Sequence, residues 1–125
     1  MADPSEQGAS ALQAVSNALI RLHKVQFGRG PTNARSFFAG PDALVCVMDD
    51  ALLPAERKMI ELGSPDRVRD SRVAFQAATE DEFVSTVEEI LGRKVRAFAS
   101  AVDPSTGVVF ENYTFEARDG DRPPA

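Results

Sequence analysis

The chain has no tryptophan, one cysteine, one histidine and no surplus of positive charge, and each shortage removes a class of function. A lone cysteine, Cys46, makes no disulfide within the chain and supplies no thiolate cluster. His23 and Cys46 together fall short of the several ligands that a zinc site takes, so no metal site and no cofactor are expected. Fourteen Lys and Arg stand against nineteen Asp and Glu, a net charge of −5. That balance lacks the cationic footprint that releases counterions from phosphates, so no nucleic-acid partner is expected. It equally disfavours adsorption to anionic lipid. The longest unbroken apolar run, Ala43 to Met48, is far shorter than the ~20 residues of a spanning helix, so no direct membrane insertion is expected either. Met1 to Gly8 does not read as a charged-then-apolar leader. With no disulfide framework, a reducing, cytoplasmic location is expected.

What is present reads as one α+β domain. The length of 125 residues, 43% apolar and 26% charged, is that of a single globular unit able to bury its own core. Met1 to Gly8 is polar and expected to form a flexible tail. From Ala9 to Phe27, Leu12, Val15, Leu19 and Leu22 recur at helical spacing, with Gln13, Ser16, Asn17, Arg21 and Lys24 mostly opposite. Gly28 is placed to end that helix. Ala34–Ala39 and Ala43–Met48 are two β-prone stretches around the turn signal Gly40-Pro41-Asp42, and so a hairpin. The second is apolar on both faces, as an interior strand is.

Pro54-Ala55-Glu56 opens a short helix that stops near Gly63. Ser64-Pro65-Asp66 opens a longer one, with Val68, Phe75, Phe83, Val87 and Ile90 on its apolar face and Gly92 at its close. Thr79 to Glu82 has capping-box spacing. The apolar face runs through without a phase slip, so one continuous helix is expected. Val95–Val102 and Val108–Phe115 flank Asp103-Pro104-Ser105-Thr106-Gly107 as a second hairpin, and the tail from residue 117 to 125 is expected to be flexible. The predicted architecture is a four-stranded, mainly antiparallel sheet of two hairpins with packed helices, in the order α-ββ-αα-ββ, over residues 9–116.

An ordered series of short motifs carries a family likeness. Leu22-His23-Lys24 precedes Gly28-Arg29-Gly30-Pro31; after the hairpin come Leu53-Pro54-Ala55-Glu56, Val68-Arg69-Asp70-Ser71-Arg72 and Leu91-Gly92-Arg93-Lys94-Val95. Together these resemble the MpsC-like family, small bacterial proteins long known as a domain of unknown function. The resemblance spans Leu12 to Phe115. It implies the fold and an association with a sodium-translocating, membrane-potential-generating system, whose other members are linked with inorganic carbon uptake. Two positions depart from the family pattern. Leu53 stands where a threonine would cap the short helix, and Ala101 stands where an acidic residue follows Ser100.

Among the candidate sites, Gly28-Arg29-Gly30-Pro31 carries the strongest functional reading. Two glycines expose backbone N–H groups, and Lys24, Arg29 and Arg35 add positive charge, a combination suited to phosphate, carboxylate or bicarbonate. It follows a helix and lacks the Gly-Lys-Ser/Thr ending, so it is no nucleotide phosphate loop. The plain alternative is a helix stop followed by a tight turn. Arg69 and Arg72 lie on one side of the long helix, suited to surface ion pairs or a partner contact. His23 reads as a helix-end cation and Cys46 as an inert buried filler. Asp49-Asp50 and Glu80-Asp81-Glu82 lack the spacing of a calcium loop and read as a turn and a solvated face.

No nucleophile, base and oxyanion donor can be assembled, so no catalytic residue is assigned. The expected role is a non-enzymatic accessory or interaction protein, a transport component of a membrane being the partner that the resemblance implies; the alternative is an anion-binding module. The strands place apolar residues on both faces: Phe37 against Phe38, Val47 against Met48, Phe110 against Tyr113 and Phe115. Either the helices divide between the two faces or a second copy covers one, and a homodimer is expected.

Overall fold

In a computed structural model, which describes residues 4–118, helix α1 (Pro4–Phe27) leads into hairpin β1 (Asn33–Phe38) and β2 (Ala43–Asp49). Helices α2 (Pro54–Glu61) and α3 (Pro65–Leu91) follow, then hairpin β3 (Val95–Asp103) and β4 (Val108–Phe115). The order α-ββ-αα-ββ and the four-stranded antiparallel sheet are as the sequence predicts. The strands lie side by side as β1-β2-β4-β3, so the hairpins meet through β2 and β4. α1 begins at Pro4, five positions before the expected Ala9, with proline at the first helical position, where its missing N–H costs no bond. Of the expected tails, residues 1–3 and 119–125 lie outside the described residues.

α3 runs unbroken through Thr79–Glu82; Thr79 donates its hydroxyl to the carbonyl of Phe75 one turn back instead of capping a new start. α2 lacks a side-chain cap at Leu53, as expected, but the return half of the capping box survives. The Leu53 N–H donates to Glu56 Oε1 at 2.8 Å. Ser64 precedes α3 without a side-chain cap bond.

Strand alternation sorts the sheet into two unlike faces. Leu44, Cys46 and Met48 of β2 and Val109, Glu111, Tyr113 and Phe115 of β4 are buried beneath the helices. Val15 and Leu19 of α1 and Val68, Phe83 and Val87 of α3 complete one core with them. The helices therefore form a single layer on one side and do not divide between the two faces. Arg35, Phe37, Ala97, Ala99, Ala101, Phe110 and Asn112, on the other face, are exposed, and Val45 and Val47 are half-buried.

Candidate functional site

The loop after α1 is built to hold the chain close to the helix. Gly28 adopts φ +81° and its N–H donates to the carbonyl of Lys24 at 2.8 Å, which ends the helix. A Cβ on Gly30 would stand 2.9 Å from the Ile20 carbonyl oxygen, so this glycine is required by close approach to α1. Arg29 then reaches across to the segment between β2 and α2. Its Nη1 donates to the carbonyls of Asp50 at 2.7 Å and Leu52 at 3.0 Å, and its Nη2 pairs with Asp50 Oδ2 at 2.6 Å. Arg57 of α2 grips the other carboxylate oxygen of Asp50. Asp50 has φ +53°, a left-handed backbone that aspartate tolerates better than most residues.

The five residues proposed for an anion site are thus not gathered around a vacant space. Gly28, Arg29 and Gly30 have structural partners, Lys24 is exposed on α1, and Arg35 lies on the outer sheet face, 3.6 Å from Asp49. The position an anion would take between Arg29 and Arg57 holds the carboxylate of Asp50. This cluster borders a cleft of about 510 Å³ between α2 and the Asp103–Gly107 turn, whose wall also carries Asp49 and Glu61.

Arg69 and Arg72 separate sharply. Arg69 is exposed and pairs with Asp66 at 3.0 Å, one turn away. Arg72 is only 3% exposed, so it offers nothing to a partner. Its Nε donates to Glu56 Oε2 at 2.7 Å and its Nη2 to the Ala51 carbonyl at 2.9 Å, and the guanidinium lies 4.1 Å from the centre of the Phe27 ring. A helical spacing cannot reveal this, because burial of Arg72 depends on α2 folding back to bring Glu56 onto it. Burial pushes the Glu56 carboxyl up, but the hydrogen bonds from Arg72 and the Leu53 N–H outweigh it and hold the group below its ordinary value.

Ser36, Glu111 and Ser100, to which the sequence reading gave no site role, lie on the inner face with Cys46, which is buried as expected. Register places Ser36, Cys46, Glu111 and Ser100 in one row across all four strands on the inner face. Each has a polar neighbour. Ser36 shares a hydrogen bond with Ser16 of α1 at 2.7 Å and donates to Cys46 Sγ at 3.5 Å. His23 Nε2 lies 3.1 Å from Glu111 Oε2, while the Tyr113 hydroxyl donates to Glu111 Oε1 at 3.1 Å. Gln76 of α3 bonds Ser100, whose hydroxyl donates to the Phe110 carbonyl at 3.0 Å. His23 is therefore a buried partner of Glu111, 1% exposed. The available signal was Glu111 itself: it alternates in phase with Val109, Tyr113 and Phe115, on the face that must be buried.

Chemically, the centre of this row is closed. His23 and Glu111 are 1% and 0% exposed, out of reach of any ligand in this conformation. Burial, with the nearby Glu111 charge adding to it and the Ser36 hydrogen bond opposing, pushes the Cys46 thiol up to about 12. The buried Tyr113 phenol is raised as well, by burial and by Glu111. A thiol so placed stays protonated and is no nucleophile at neutral pH. Among the described residues no group of three or more His, Cys, Asp or Glu is placed to hold a metal ion, and no helix is long and apolar enough to cross a membrane.

Residues 9–117 match the family described as the Na+-translocating membrane potential-generating system (MpsC). No curated protein and no solved structure matches the chain.

Proposed function

Because this chain belongs to the MpsC family, we propose that it is a non-enzymatic accessory protein of a Na+-translocating, membrane-potential-generating system, working from the cytoplasmic side through protein contacts. The observation that carries this reading is the contrast between the two faces of the sheet. On the inner face, His23, Cys46, Glu111 and Tyr113 are buried and hydrogen bonded to neighbouring side chains. On the outer face, Phe37 is 50% and Phe110 40% exposed beside Val45 and Val47, a patch that solvent disfavours and assembly would cover. A role in ion or inorganic-carbon transport then comes from what the protein assembles with, not from a reaction of its own.

The test is complementation in cells that lack the chain and whose Na+-dependent membrane potential is read with a voltage-sensitive dye. The wild type is expected to restore the potential, and Phe110→Asp, which leaves the core untouched, to fail while still being produced and folded. Full restoration by Phe110→Asp would remove the outer face from the function.

A further inference from the structure

Cross-strand register arranges the outer face as rows with a gradient of size. One row runs Phe37–Val45–Asn112–Ala99 from β1 to β3, and the next runs Arg35–Val47–Phe110–Ala101. The β3 edge carries only alanine there, with Ala97 one row further on, while the β1 edge carries Phe37 and Arg35. Asp103 ends the β3 side of the face. The face is thus bulky at one edge and small at the other, with Arg35 3.6 Å from Asp49 of β2 on the same face.

We propose that a second copy of this chain covers this face, related by a two-fold axis running along the strands. Such an axis reverses each row against itself. Phe37 of one copy then seats over Ala99 of the other, Val47 over Phe110, and Arg35 over Ala101 beside Asp103, at both ends of the interface. Packed sheets lie about 10 Å apart with their inner side chains interdigitated, which a phenyl ring over an alanine methyl satisfies. The other in-plane axis, across the strands, sets β1 on β1 and β3 on β3. It would stack the bulky edge, with Phe37 and Arg35, on itself while leaving a gap between two alanine surfaces at the other. Size therefore selects the first arrangement. The same reversal sets the polar groups of β4, Asn112 and Thr114, over Val45 and Ala43 at the middle of the face.

This inference rests on the reading of the outer face as an assembly surface. Its experiment reads mass alone, so it can fail while complementation of the membrane potential succeeds, or the reverse. Light scattering on the full chain at micromolar concentration is expected to give twice the 13.5 kDa chain mass. Ala99→Phe adds a ring outside the core, where it collides only with the second copy, and should give a monomer with an unchanged circular dichroism spectrum. Phe37→Ala should raise the dissociation constant at least tenfold. The double variant Phe37→Ala/Ala99→Phe exchanges knob and hole and should restore the dimer. A wild-type monomer at all concentrations, a dimer indifferent to Ala99→Phe, or a double variant no better than Ala99→Phe would each overturn the arrangement. A monomer that gains mass only with a membrane transport component present would assign the face to that partner instead.

Discussion

Cys46 of β2 and Glu111 of β4 are register partners at the centre of the inner sheet face, and neither has any solvent exposure. A thiol beside a carboxylate in a buried setting is held in its neutral form, so Cys46 should resist alkylation in the folded protein. Iodoacetamide at pH 8 is expected to label it only at the rate of global opening, and fully in denaturant. Rapid native labelling would mean that the sheet opens locally between its hairpins.

His23→Leu removes the imidazole from Glu111 and leaves Tyr113 as the only side chain bonding that carboxylate. Stranding a buried acid in this way should cost about 3–5 kcal/mol in urea unfolding. His23→Leu combined with Glu111→Leu should recover part of the loss, since the buried carboxylate is gone and only the Tyr113 hydroxyl is left without its acceptor. A double variant as unstable as the sum of the two single changes would show that the pair is not coupled.

Glu56 gives the fold a defined acid response. Its carboxyl is held below the ordinary value of 4.5, so its contribution to stability is present above that pH and is lost as the pH falls through the folded value. Glu56→Gln should lower stability by about 2 kcal/mol at pH 7, the scale of hydrogen bonds to a charged group. The gap between it and the wild type should close below pH 4.5. A gap that persists undiminished in acid would mean that packing, not charge, makes the difference.

Arg29→Ala separates a structural arginine from an anion receptor. It removes two hydrogen bonds to carbonyls and one to the Asp50 carboxylate from a side chain that is about one-third exposed. The expected cost is about 1–2 kcal/mol, below the range for fully buried charged bonds. Phosphate or bicarbonate at matched ionic strength should shift the melting of both proteins equally. A stabilisation confined to the wild type would reinstate the anion site.

Gly30→Ala should destabilise by about 1–3 kcal/mol, the range for forced overpacking, because the added methyl meets the Ile20 carbonyl and not a flexible side chain. Thermal melting of the variant checks this without any ligand. An unchanged melting point would mean that the loop can move off α1.

The architecture was legible because its signals are local. Apolar spacing, Gly40-Pro41-Asp42 and Asp103–Gly107 each fix an element from residues a few positions apart, and the four strands fall within one residue of their expected ends. The roles of the charged residues were not legible, because they depend on distant partners. Arg72 meets Glu56 and Phe27, His23 meets Glu111, and Arg93 of the last motif joins Asp42 and the carbonyls of Pro41 and Glu116. All five motifs behind the family resemblance thus place a charged or ionisable side chain, from His23 to Arg93, in an internal crosslink. They specify how the elements are tied together.

The strand order β1-β2-β4-β3 also sets the sequence of events by which the chain acquires its structure. Each hairpin can zip from its own short turn, whereas pairing β2 with β4 joins Cys46 to Glu111, 65 positions apart, across all of α2 and α3. Closing so long a loop is the entropically demanding step, and contacts of that span slow folding. The search for the native state should therefore be limited by the meeting of two preformed halves. Substitutions in β2 or β4 that act only across this seam would speed unfolding, while those within a hairpin would slow refolding.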